Sequence, residues 1–343
     1  MDEKSLEMLE FPKIRGILAG YTSFSASREL ALSLQPSSNP ALISTLLRQS
    51  AEARQLSIPE SDFSVRGALD VREAVGMAAK SKILEPLTLL QIQATLAAAR
   101  YVRNNLKKLS KELPSLWEIA EQLVELPSLE NEIDRCINPS GEVMDSASSK
   151  LSELRRGLRE TRQQLLERLE AIIKSPRGRR FMQEGFISER EGRYVIPVKA
   201  ESRKEIKGIV HDISNTGATA FVEPWATVEL GNELRQLVIE EKREVERILM
   251  SLSAEAGANE AAISQDVELL AEIDLILAKA KYAGKVKATE PVIAAGGVLR
   301  LVNARHPLLK EKAVPLSVEI GQDYSILVIT GPNTGGKTVA LKT

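Results

Sequence analysis

Apolar positions recur at helical spacing through the first 145 residues. In LTLLQIQATLAAARYV (87–102), Leu89, Ile92, Leu96 and Ala99 fall on one face. QPSSNP (35–40) and two LPS triplets (113–115 and 126–128) punctuate this region as turns. INPSGEVMDSAS (137–148) is also turn chemistry, with Asp145 or Ser146 expected to cap the helix that follows. That helix should be long. Leu151, Leu158, Leu165 and Ile172 stand at intervals of seven and Leu154 at the companion position, but the next two companions are Thr161 and Arg168. A stripe apolar over half its width implies an exposed helix with one narrow seam, ending at SPRG (175–178).

The period then becomes strand-like. FISEREGRYVIPVKAE (186–201) has a turn at Glu191-Gly192, and KGIVHDISNTGATAFVEP (207–224) has one at Asn215-Thr216-Gly217. Together they predict a small antiparallel sheet of hairpins. Phe181, Phe186, Tyr194, Phe221 and Trp225 are five of the chain's 13 aromatics, and they are expected to fill the core of this unit. Helix resumes after Pro224, with a stripe of Leu234, Val238, Val245, Ile248 and Leu252 that Glu241 interrupts. The Ala/Gly-rich stretch 254–262 reads as a break. VELLAEIDLILAKAKYA (267–283), apolar nearly all round, should be buried. From about residue 290 strand and turn signals return, and SILVIT (325–330) reads as a buried strand of a parallel sheet. The fold class is mainly α with a small inserted antiparallel β subdomain, followed by the first strands of an α/β domain.

Composition narrows the function classes. With 43% hydrophobic and 27% charged residues over 343 positions, the chain reads as a soluble protein of two or three domains. No apolar run is long enough to span a bilayer, so no membrane partner is expected. A polar N-terminus and the single Cys136 suit a cytoplasmic protein. The net charge of −1 confines any nucleic-acid surface to a local patch.

One motif carries nucleotide chemistry. Gly331, four residues, then Gly336-Lys337-Thr338 fits the phosphate-loop pattern, with Pro332, Asn333, Thr334 and Gly335 between. Glycines let backbone N–H groups point at a phosphate, and the next helix turns its positive end toward the anion. Lys337 would reach the β- and γ-phosphates of ATP, and the Thr338 hydroxyl would ligate Mg²⁺. Hydrolysis needs a further acidic strand that the last five residues cannot supply. The sequence therefore reads as a piece ending inside its ATPase domain, with no turnover and negligible nucleotide affinity expected of it.

TGPNTGGKT (330–338) preceded by ARHPLL (304–309) resembles the MutS family of ATPases. LEMLEFPKIRGILAGYT (6–22), GEVMDSAS (141–148), RYVIPVK (193–199) and IVHDISNTGATAFVEP (209–224) are similar to its type-two branch, which lacks mismatch-reading and connector domains. The resemblance implies a helical core (1–145), lever helices (146–182 and 229–288), a β-rich clamp (183–228) and the start of a P-loop ATPase domain (289–343). It also implies ATP-regulated binding of duplex or branched DNA, restraint of recombination, a homodimer in the intact protein, and a C-terminal nuclease domain outside this sequence. Some family members are tied to rescue of collided ribosomes, which leaves a ribosome or RNA partner open. Another P-loop ATPase with a coiled-coil arm, of the chromosome-maintenance type, is a rival reading. There the loop would precede the arm.

Residues 174–207 hold ten basic and five acidic groups, a local balance of +5. Arg177, Arg179 and Arg180, together with Lys199, Arg203, Lys204 and Lys207, are the candidates for contact with a nucleic-acid backbone. A solvated charged turn is the plain alternative. His211 is expected to be a core or surface histidine. His306 should be a turn residue, with a place near the base pocket as its alternative. Cys136 reads as a small buried group, and two histidines with one cysteine make no zinc site. By the resemblance, Val314 and Pro315 lie where an adenine-contacting segment should pass.

Overall fold

Proline opens helix after helix in the first third of the chain. Its fixed φ suits the first helical position, where its missing N–H leaves no bond unmade. A computed structural model describes residues 2–56, 63–182, 184–294, 296–331 and 336–343. Helices α1 (Glu3–Met8), α2 (Phe11–Ala19) and α3 (Ser25–Leu32) are followed by α4 (Pro40–Leu56) and α5 (Arg72–Ala79). Then come α6 (Pro86–Lys108), α7 (Pro114–Ala120) and α8 (Pro127–Cys136). The prolines that read as turn punctuation thus start α4, α7 and α8. The stripe on α6 is buried as expected, with Leu89, Ile92, Leu96 and Ala99 each at most 2% exposed.

The long helix is α9 (Ser149–Lys174). Its cap is Ser148, whose Oγ accepts from the Leu151 N–H at 3.0 Å, not Asp145 or Ser146. Asp145–Ala147 instead forms a 3-10 turn, with the Asp145 carboxylate 2.8 Å from Arg155. A short helix α10 (Gly178–Phe181) precedes the strands β1 (Ser188–Arg190), β2 (Arg193–Lys199), β3 (Gly208–Ile213) and β4 (Thr219–Pro224). All pairs are antiparallel, in the order β1-β2-β4-β3. Glu191 and Gly192 both take positive φ, which joins β1 to β2 in a two-residue hairpin of matching twist. Helices α11 (Trp225–Ala258) and α12 (Glu260–Val286) follow, then β5 (Leu299–Ala304), β6 (Leu316–Ile320) and α13 (Lys337–Lys342).

The chain forms two compact units. One comprises residues 1–80, 91–130 and 256–343, the other residues 81–90 and 131–255. In the first, α12 is the central helix, and Val267, Leu270, Ile273 and Ile276 are at most 2% exposed, as its all-round apolar pattern predicts. Its two fully buried acids behave differently. Asp274 accepts from Ser23 N–H at 2.6 Å and from the Ser23 and Ser27 hydroxyls. Among the described residues Asp266 accepts only from Val124 N–H, at 2.9 Å, and burial pushes its carboxyl up to about 6. The break expected in 254–262 comes down to a single residue, Asn259, between α11 and α12. Helix α11 runs on to Ala258, and Gly257 is there for close approach: a Cβ would lie 2.6 Å from the backbone of Ala78 and Ala79.

In the second unit α9 and α11 share a seam that is as polar as it is apolar. Leu237 lies against Gly157, and Val238, expected in the stripe, is 50% exposed. Glu241 accepts from Arg155 at 3.0 Å. Glu244, 3% exposed, is held by Arg247 at 2.7 Å, Ser148 at 2.8 Å and Lys150 at 3.7 Å. These donors, Arg247 first, hold its carboxyl down at about 2.

The unit's aromatics fill its core only in part: Phe181 and Tyr194 pack against it, half-buried. Phe221 is buried, but Phe186 is 45% and Trp225 59% exposed. The core is filled from outside the sheet: Leu165 and Leu169 of α9, with Met182, cover Ile196, Val198, Ala220 and Val222. One apolar helix face supplies the burial that a four-stranded sheet needs for stability.

SILVIT corrects another expectation. Residues 325–330 form no strand, and Ile326, Leu327, Val328 and Ile329 are 42–77% exposed. Among the described residues no strand pairs with them, and an unpaired strand gains neither ladder bonds nor burial. Among the described residues, strands β5 and β6 pair only with each other.

Candidate nucleic-acid interface and phosphate loop

The candidate cations are assembled by a sharp chain reversal at the end of α9. Ser175 closes the helix: its Oγ donates to the Ile172 carbonyl at 2.7 Å and accepts from Gly178 N–H at 2.9 Å. At Gly178 a Cβ would lie 2.1 Å from the Ile172 carbonyl oxygen, so only glycine lets α10 fold back this tightly. Arg179 and Arg180 project from that turn, both exposed. An isolated bridge between Met182 and Val198 then fastens the exit of α10 to β2.

Strand β2 delivers Lys199 directly into a 3-10 turn, Ala200–Glu205, which carries Arg203 and Lys204. Arg177 Nη2 donates to the Glu205 carbonyl at 3.2 Å and lies 3.9 Å from its carboxylate. Two basic segments some 25 residues apart in sequence are thereby joined on one surface. Arg177 is partly neutralised there. Among the described residues, Arg179, Arg180, Lys199, Arg203, Lys204 and Lys207 have no carboxylate within 4.0 Å. Uncompensated guanidinium and ammonium groups clustered this way attract phosphate oxygens without reading sequence.

A buried network that the sequence pattern does not announce lies behind the sheet. Glu223 of β4, 2% exposed, accepts from Arg193 Nη1 at 3.2 Å and lies 2.7 Å from His211 Nε2. Arg193 also donates to Asn232 of α11 at 2.8 Å. His211 sits at a bulge in β3, between Val210 and Asp212, so its role is a bonded, half-buried one. The available signal was an acid inside the apolar run TAFVEP, since a buried carboxylate requires cationic partners.

The phosphate-loop residues lie in the first unit. Gly331 takes φ +143° and Gly336 φ +80°, and open space surrounds the Cβ position of each. Pro332, Asn333, Thr334 and Gly335 lie outside the described residues. Lys337 opens α13 and donates from Nζ to the Gly331 carbonyl at 2.5 Å, across the loop it is expected to serve. Thr338 lines a cleft of about 420 Å³ with His306, Leu308, Glu10, Lys13 and Lys342. His306 is 6% exposed and its Nδ1 accepts from Leu308 N–H at 3.3 Å, a turn contact as expected. Val314 and Pro315 are exposed and are not among the residues lining this cleft. Two positive-φ glycines, Gly331 and Gly336, precede a lysine and a hydroxyl, residue types that would suit a triphosphate with its Mg²⁺ and would supply charge-stabilised binding at Lys337 and Thr338. No described helix is long and apolar enough to cross a membrane. Cys136 is buried, and burial pushes its thiol up.

No protein-family model matches the chain. Curated relatives do, over its whole length. Endonuclease MutS2 of Pelotomaculum thermopropionicum is 42% identical over 343 residues. The protein of the same name from a Geobacillus species is 42% identical over 347, and that from Clostridium botulinum 39% over 346. The chain spans 44% of the length of each of these relatives.

Proposed function

Because this chain belongs to the type-two branch of the MutS family, we propose that its second unit grips a nucleic-acid backbone, DNA in the family's setting. The grip would come from Arg177, Arg179, Arg180, Lys199, Arg203, Lys204 and Lys207. The observation that carries this reading is the joining of α10 to the Lys199–Lys207 segment through Arg177, Glu205 and the Met182–Val198 bridge. Contacts of this kind give sequence-independent affinity. The domain order proposed is a helical core (1–145), levers (146–182 and 229–288), a clamp (183–228) and the beginning of an ATPase domain (289–343).

In the intact protein, ATP with Mg²⁺ at Gly331–Thr338 would bias a homodimer between clamp states, which requires that the states bind nucleotide differently. Restraint of recombination would follow from occupancy of duplex or branched DNA. The chain itself is expected to bind ATP negligibly, since among the described residues no strand stands beside residues 325–330. Micromolar affinity in a calorimetric titration would contradict that. The DNA reading is tested by fluorescence anisotropy with labelled duplex, in the absence and presence of competing ribosomes. Saturable DNA binding that ribosomes do not displace supports it. Absence of DNA binding, or retention of ribosomes alone, overturns it.

A further inference from the structure

An exposed tryptophan stands at the border of the cationic surface. Trp225 opens α11, and its side chain is left out of the sheet's core. Its backbone N–H donates to the Lys207 carbonyl at 3.0 Å, which holds it beside the last of the unpaired cations. The approach is a close one. Gly208 pairs with Pro224, and a Cβ at Gly208 would lie 2.3 Å from the Glu223 carbonyl oxygen. Trp225 is thus fixed at its root by strand pairing and still 59% exposed. Leaving so large an apolar side chain in water forgoes burial that the sheet could have used.

We infer that Trp225 is a base-stacking residue, and that the surface takes a nucleic acid with at least one unpaired base beside the phosphates it grips. This rests on the DNA reading above. Two kinds of complementarity meet at this border. Lys207, paired with Trp225 across the end of the β3–β4 ladder, offers charge to the backbone, and the indole offers a π-face to a base. That combination defines single-strand recognition, and stacking tolerates any base because each has a π-face. A continuous duplex keeps its bases stacked on one another and offers Trp225 nothing. A gap, a flap or a single-stranded end would engage it.

The chain has two tryptophans, so in Trp117→Phe protein Trp225 is the sole reporter of indole fluorescence. The full chain with that substitution is titrated with single-stranded, gapped and continuous duplex DNA, following anisotropy of the DNA and emission of the protein. Gapped and single-stranded DNA should quench the emission. W225A should lower affinity for these by about tenfold and leave continuous duplex unchanged, and W225F should restore most of the loss. DNA that binds with salt-dependent affinity but neither quenches nor responds to W225A overturns this inference and leaves the DNA reading standing. Failure of every DNA to bind overturns both. An equal loss on all DNAs overturns the stacking role, and circular dichroism of W225A separates that from misfolding.

Discussion

Two β-rich stretches of this chain met different fates. Residues 188–224 form four paired strands, and residues 299–330 form a single two-stranded ladder with a bare apolar run after it. Their sequences are about equally strand-like: RYVIPVK and TAFVEP are no more apolar than SILVIT. The difference lies in what stands beside them. Leu165 and Leu169 of α9 present a face on which Ile196, Val198, Ala220 and Val222 can be buried. Nothing among the described residues does this for Ile326–Ile329. β-propensity therefore marks where a strand can form, and a neighbouring surface decides whether it does.

The comparison can be broken most forcefully at that surface. L169A removes a fully buried leucine from beneath the sheet and should cost about 3 kcal/mol in denaturant unfolding. G178A is next. Its Cβ cannot coexist with the Ile172 carbonyl, so α10 must shift, with an expected loss of about 2 kcal/mol and weaker DNA binding even where the fold survives. By contrast, I326S with V328S should change stability by less than about 0.5 kcal/mol, since both side chains are exposed. A large loss there would mean that residues 325–330 are packed after all.

The two units also differ in how their buried acids respond to pH. Glu244 in the seam is held down at about 2 against an ordinary 4.5. Its contribution to stability is present above pH 4.5 and is lost as pH falls toward 2. Asp266 in the other unit is raised to about 6 from 3.8. Its contribution is full below pH 3.8 and is lost as pH rises through 6. E244Q should therefore shrink the acid-side loss, and D266N should flatten the slope between pH 4 and 6. Unfolding measured across pH 2.5 to 7 checks both signs.

Much of this was legible in the sequence. The heptad of α9, the hairpin turn at Glu191-Gly192, the buried face of α6 and the enclosure of α12 all follow from periodicity and turn chemistry. So do the candidate cations, as residue types, and the phosphate-loop pattern. What the sequence did not disclose depends on side-to-side contact. That Ser148 and not Ser146 caps α9 is decided by the 3-10 turn that Arg155 stabilises through Asp145. That Gly257 continues a helix is decided by the backbone it meets. The Glu223–Arg193–His211 network needs three strands brought together before any of its bonds exist. The exposure of Trp225 and Phe186 is visible only once α9 is seen to have filled the core in their place.

The charge of the joined cationic surface can be counted in solution. The slope of log K against log salt for a DNA duplex should be roughly −0.9 per phosphate engaged. With six cations free of carboxylates, a slope of about −5 is expected for the full chain. The triple substitution of Arg177, Arg179 and Arg180 by alanine should make it shallower by about 2 and weaken binding at low salt. An unchanged slope and affinity in that variant would contradict the assignment of this surface.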